Sequence, residues 1–157
     1  MARAAYPYIP VPLPVSEAFP QGGTAHRPIA FADISVAGGV PERLAVVLDT
    51  GADGCLFPLK LARLLHLDIE RMPRATNRGV GSQSNLTYYT DIAIDLGNGI
   101  AFTAYAGFTE GLDAMGLGLL GQACFFEQYN VEFRHSERLF TIESASGMTR
   151  TSTARPL

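Results

Sequence analysis

The run Ala45-Val46-Val47-Leu48, followed at once by Asp49-Thr50-Gly51-Ala52-Asp53, constrains this chain more than any other stretch. Four apolar residues, two of them β-branched, read as a buried strand. A carboxylate is seldom fully buried unless it is paired, so a strand that ends on Asp49 presents an acid at the rim of a core. Taken alone, Asp-Thr-Gly at a strand end more often marks a turn closed by a side-chain-to-backbone hydrogen bond than a reactive group. The neighbouring segments decide between the two.

Around that strand the sequence reads as one mainly β domain. The chain has 157 residues, 47% of them apolar, which is enough for a single core. Residues 1–25 hold Pro7, Pro10, Pro12, Pro14, Pro20 and Gly22-Gly23, a composition that no helix or central strand tolerates. A proline-rich extended arm is expected there, either a loose tail or a segment laid along a surface or a partner subunit. From Pro28, apolar residues alternate at Ile29, Phe31, Ile34 and Val36 as far as Gly38-Gly39. That strand, or pair of short strands, makes a hairpin with Leu44 to Leu48, which delivers Asp49. Pro58 opens a short helix over Leu59 to His66, with leucines at 61, 64 and 65 on one face.

Residues 72–87 are polar, contain Gly79-Val80-Gly81-Ser82, and are expected to project without burial. Ile92, Ile94 and Leu96 alternate, Gly97-Asn98-Gly99 turns, and Ile100, Phe102, Ala104, Ala106 and Phe108 alternate again, as a hairpin does. After a glycine-rich stretch ending in Leu119-Leu120-Gly121, a short helix is expected over Gln122 to Gln128. A last hairpin joins Tyr129–Phe133 to Leu139–Ile142, and a mobile polar tail follows from Ser144.

Three of these features, in this order, resemble the retropepsin family of aspartic proteases over roughly residues 27–143: Asp49-Thr50-Gly51-Ala52 after a buried strand, a glycine-tipped hairpin at 78–83, and Leu119-Leu120-Gly121 about seventy residues past the aspartate. The resemblance implies a closed β-barrel of the acid-protease type with one or two short helices. It also implies a site where two carboxylates share one proton, one deprotonating a water while the other protonates the substrate carbonyl. Only one Asp-Thr-Gly is present, and no Asp-Ser-Gly. The second carboxylate would come from a second copy, giving a two-fold homodimer with Asp49 facing its mate.

Residue roles follow from the same resemblance. Asp49, Thr50 and Gly51 would be catalytic, with Thr50 hydrogen-bonding across the dimer axis and Gly51 leaving room for a substrate backbone. Ala52 and Asp53 would bind that backbone, and Gly79, Val80 and Gly81 would be the flap tip that closes on it. Leu119, Leu120 and Gly121 would pass behind the catalytic loop and support it. Ala52 lacks the hydroxyl that a serine would aim at the aspartate, so the pair, which as two coupled carboxylates would titrate as a unit, is expected to work at milder pH. Retropepsins often carry an arginine directly after the apolar-apolar-Gly motif, paired with the acid that corresponds to Asp53. Here Gln122 stands in that place, and Asp53 is expected to be held more weakly.

Other chemistries fit less well. A net charge of −3, with Lys and Arg scattered singly, gives no footing for nucleic acid. No run of about 18 apolar residues and no apolar leader core is present, so a soluble cytoplasmic protein without a membrane partner is expected. Cys55 and Cys124 are too few for a disulfide framework or a zinc site and are expected to be reduced and packed. His26, His66 and His135 stand apart without ligand spacing, so neither a metal nor another cofactor is expected. Gly116-Leu117-Gly118-Leu119-Leu120-Gly121 matches the dinucleotide fingerprint letter by letter, but Glu110 to Met115 before it is no strand and no βαβ unit surrounds it.

Two functions remain. One is an aspartic endopeptidase that hydrolyses an extended polypeptide as a homodimer; the other is a non-catalytic dimeric module of the same fold that binds an extended peptide by strand pairing. The domain carrying either is expected over residues 26–143, between the arm (1–25) and the tail (144–157).

Overall fold

A computed structural model describes residues 2–78 and 84–146. The chain begins with strand β1 (Arg3–Pro7) and a hairpin of β2 (Ile9–Leu13) and β3 (Gly23–Arg27). It continues through β4 (Ile29–Ser35), β5 (Glu42–Leu48), β6 (Leu56–Pro58), helix α1 (Leu59–Leu64), β7 (Arg74–Arg78), β8 (Ser84–Asp95), β9 (Ala101–Thr109) and β10 (Gly118–Leu120). The last two strands are β11 (Tyr129–Arg134) and β12 (Leu139–Ser144).

Six strands close into a barrel in the order β4-β5-β10-β6-β9-β8, because β8 returns to pair with β4 from Asp33 opposite Asp95 to Ser35 opposite Ala93. Closure leaves no open sheet edge along this ring, and β7 is added outside it on β8. The alternation seen in the sequence supplies the interior: Ile92 and Ile94 are buried while Asp91, Ala93 and Asp95 between them are exposed. Ile34, Val46, Phe57, Ala106, Phe108 and Leu120 fill the centre with no exposed surface. The fold is thus mainly β, a closed barrel with short helical pieces.

A second, three-stranded antiparallel sheet has the order β1-β12-β11. Tyr6 stacks on Phe140 with ring centroids 5.3 Å apart, and its hydroxyl donates to the carbonyls of Leu96 and Gly97 at 3.4 Å. Burial pushes the Tyr6 hydroxyl above the ordinary phenol pKa, against the lowering pull of a hydrogen bond with Asn98, and the charge of Asp95 adds to the rise. So part of the arm is structural: Ala4, Tyr6 and Tyr8 belong to the core. The prolines are respected, since β1 is an edge strand and Pro10 and Pro12 sit in a hairpin that pairs only with itself.

Three local expectations change. Thr87, in the stretch expected to project, is 1% exposed, because β8 is one continuous strand that carries Thr87 opposite Thr109. The helix expected over Gln122–Gln128 is a single π turn, Gln122–Phe126, in which the amides of Phe125 and Phe126 share the Gly121 carbonyl. Cys55 and Cys124 are not reduced but form a disulfide, with Cα atoms 5.9 Å apart. The tail expected to be mobile lies outside the described residues from position 147 onward.

Candidate active site

Strand order builds the site. β10 lies between β5 and β6, parallel to the first and antiparallel to the second. The chain leaving β5 at Leu48 must therefore cross the end of β10 to enter β6 at Leu56. Residues 49–55 make that crossing. Gly121 lies directly beneath it, where a Cβ would press on the Gly54 carbonyl oxygen and come within 2.6 Å of the Ala52 carbonyl oxygen. Only glycine fits there without moving backbone.

The crossing loop is fastened rung by rung to the segment below it. The Asp49 amide donates to the Leu120 carbonyl at 3.0 Å. The Gln122 amide donates to the Ala52 carbonyl at 2.9 Å, and the Ala123 amide to the Asp53 carbonyl at 2.8 Å. The Gln122 side chain donates through Nε2 to the Thr50 carbonyl at 2.8 Å. Cys55 and Cys124 then join the two segments covalently. On the other side, the Leu48 amide donates to the Pro28 carbonyl at 3.0 Å.

Asp49 is half-buried at the rim of the core, with Thr50 and Gly51 exposed beside it. Its Oδ1 accepts from the Gly51 amide at 2.9 Å, so the motif does form the side-chain-to-backbone turn that such a sequence favours. Its Oδ2 has no hydrogen-bond partner among the described residues. One carboxylate oriented by a backbone amide, with its second oxygen open, can bind a water or exchange a proton. It cannot be general acid and general base in the same step.

The sequence-derived residues fall as follows. Asp49, Thr50, Gly51, Ala52 and Asp53 share the crossing loop. Leu119 and Leu120 form β10 opposite Val47 and Leu48, and Gly121 is the contact beneath the loop. Gly79, Val80 and Gly81 lie outside the described residues; the strands leading to them, β7 and β8, pair from Arg74 opposite Tyr88 to Arg78 opposite Ser84. The Asp53 carboxylate is exposed and makes no ion pair among the described residues, while Gln122 gives its side chain to Thr50. No group of three or more His, Cys, Asp or Glu able to hold a metal occurs among the described residues. None of the helices described is long and apolar enough to cross a membrane.

Comparison with solved structures matches this chain to the crystal structure of a retropepsin-like aspartic protease from Rickettsia conorii, at a TM-score of 0.53. The match covers 90% of this chain and 92% of that one. The fold is retropepsin-like. At 12% identity the likeness is one of fold, and no protein-family model and no curated protein matches the sequence. Within this retropepsin-like barrel, sequence reasoning missed the disulfide and the Gln122–Thr50 bond. Nothing local could signal the first, since its cysteines are 69 positions apart in the sequence. The second was hidden because glutamine in place of arginine was read as a lost ion pair, not as a neutral donor with another acceptor.

Proposed function

We propose that this chain is an aspartic endopeptidase that works as a homodimer, with one Asp49 from each copy at the two-fold axis. The observation that supports this reading is the placement of Asp49. It caps β5 at the crossing over β10 in a retropepsin-like barrel, half-exposed, with one carboxylate oxygen oriented and the other open.

Two such carboxylates facing each other would hold one proton between them, since like charges at close range do not both ionise. The ionised partner takes a proton from a bound water as that water's oxygen attacks the scissile carbonyl carbon. The protonated partner gives its proton to the carbonyl oxygen. Collapse of the resulting gem-diol with proton transfer to nitrogen breaks the C–N bond and leaves an acid and an amine. Thr50 hydrogen-bonds across the axis, Ala52 and Asp53 bind the extended substrate backbone, and Gly79, Val80 and Gly81 close over it. The Cys55–Cys124 disulfide favours work in an oxidising compartment over the cytoplasm.

The test is cleavage of a mixed peptide library by wild type and Asp49→Asn from about pH 4 to about pH 7.5, a range in which carboxylate pairs of this kind can hold one proton. Cutting by wild type alone, falling faster than linearly on dilution, is the expected result. Peptide capture without cutting by either protein, at a concentration where a dimer is present, would replace this reading with the binding module.

A further inference from the structure

We propose that the Cys55–Cys124 disulfide is a positioning device for the catalytic loop, so that peptide hydrolysis depends on its being oxidised; this rests on the protease reading above. The loop that carries Asp49 is seven residues long from Asp49 to Cys55, with Thr50, Gly51 and Asp53 exposed and Asp49, Ala52 and Gly54 half-buried. Apart from the Cys55 carbonyl, which accepts from the Gly107 amide at 3.0 Å, it owes its place to contacts with the segment Leu120 to Cys124. Those contacts form an ordered series: Asp49 on Leu120, Thr50 and Ala52 on Gln122, Asp53 on Ala123, and Cys55 on Cys124. All but the last are single hydrogen bonds, each contributing about 1 kcal/mol net. The Gln122 side-chain bond lies in the open, and such bonds open and close readily. The disulfide is the one rung that cannot fray. It is also the deepest, with both cysteines buried.

The bond closes the series at the point where the chain turns into β6, whose Leu56 pairs with Leu119. Without it, the crossing is held at its β6 end by backbone pairing and at its β5 end by the Asp49 and Leu48 amides. The middle, Thr50 to Gly54, would then be held to the segment beneath it only by the single hydrogen bonds of Thr50, Ala52 and Asp53 with Gln122 and Ala123, and would be freer to shift. In a carboxylate pair that must share one proton, a shift of about 1 Å in one partner can lower the rate by about 100-fold. Reduction by a dithiol is balanced: dithiothreitol is oxidised to its cyclic disulfide, the S–S bond takes up two electrons, and Cys55 and Cys124 each gain a proton.

The experiment compares oxidised protein, protein reduced by dithiothreitol with both thiols confirmed by titration, and Cys55→Ala/Cys124→Ala. Each is tested for peptide cleavage and for amide hydrogen exchange at Asp49, Gln122 and Ala123. On loss of the bond, kcat should fall by about ten-fold or more, KM should change far less, and those three amides should exchange about ten-fold faster. Re-oxidation should restore the wild type and leave the double variant slow. The double variant decides the matter if the buried bond resists reduction in the folded protein.

Unchanged kcat and unchanged exchange in a folded, disulfide-free protein would overturn the proposal. If exchange responds while the oxidised protein cuts nothing, the positioning role stands and the protease reading fails. If the oxidised protein cuts and loss of the bond changes neither readout, the protease reading stands and the positioning role fails.

Discussion

Two exposed excursions leave the core of this protein, and they are held in opposite ways. The hairpin of β2 and β3 pairs only with itself. None of its strand residues is buried, and Leu13, Val15 and Phe19 are exposed toward its tip. The crossing loop 49–55 is much shorter and exposes Thr50, Gly51 and Asp53, yet it is fastened at Asp49, Thr50, Ala52, Asp53 and Cys55 to the segment beneath it. Exposure alone therefore says little about how firmly a segment is placed. What matters is whether its polar groups close on themselves or on the core.

The largest effect should come from removing the covalent rung. For a closed loop with cysteines 69 positions apart, chain entropy gives a stability loss of about 4 kcal/mol, read as a lower urea midpoint for Cys55→Ala/Cys124→Ala. A loss below about 1 kcal/mol would mean that the loop is fastened by its hydrogen bonds alone.

Gly121→Ala comes next. Its Cβ would push on the Ala52 and Gly54 carbonyls, costing about 3 kcal/mol in urea unfolding. It should also slow any cleavage, because the loop would have to lift. Gln122→Ala removes the donor to the Thr50 carbonyl and should cost about 1 kcal/mol. Its cleavage rate should fall while its KM holds, and Gln122→Asn, being too short to reach, should behave alike.

The base of the hairpin offers a pH test. Tyr6, in the strand from which the hairpin springs, has its pKa raised chiefly by burial. Its contribution is whole below about pH 10, the unfolded phenol value, and is lost as pH rises through the raised folded value. Thermal melts of Tyr6→Phe should therefore decline less steeply than wild type above about pH 10.

Smallest of all should be the hairpin tip. Val15→Ser and Phe19→Ser, each at an exposed site, should shift the urea midpoint by no more than about 0.5 kcal/mol of stability. A protein-concentration-dependent loss larger than that would break the contrast, because it would show the hairpin docked on a second copy.

Much of the barrel was legible because its signals are local. Alternation at Ile92, Ile94 and Ile100 to Phe108 marks β8 and β9, and the apolar run before Asp49 marks β5. The Pro58-led leucines mark α1, and hairpin spacing marks β11 and β12. The same reading set an acid at the rim of the core, since a strand cannot bury an unpaired carboxylate. What it could not show are facts of pairing between distant segments. Among them are β1 joining β12, β8 closing on β4, Thr87 carried inward, and the Gln122 side chain meeting the Thr50 carbonyl rather than an acid.

The amino-acid sequence by itself determined the strands β4, β5, β9, β11 and β12 and the later half of β8, where they turn, and that Asp49 ends one of them. These follow from side-chain periodicity and from the backbone limits of glycine and proline over a few residues. Only the tertiary structure decided that a three-residue strand would slip between β5 and β6. That insertion forces the Asp49 loop across Gly121 and brings Cys55 against Cys124, because contacts between segments far apart in the chain are selected by the packing of the whole core and leave no local trace.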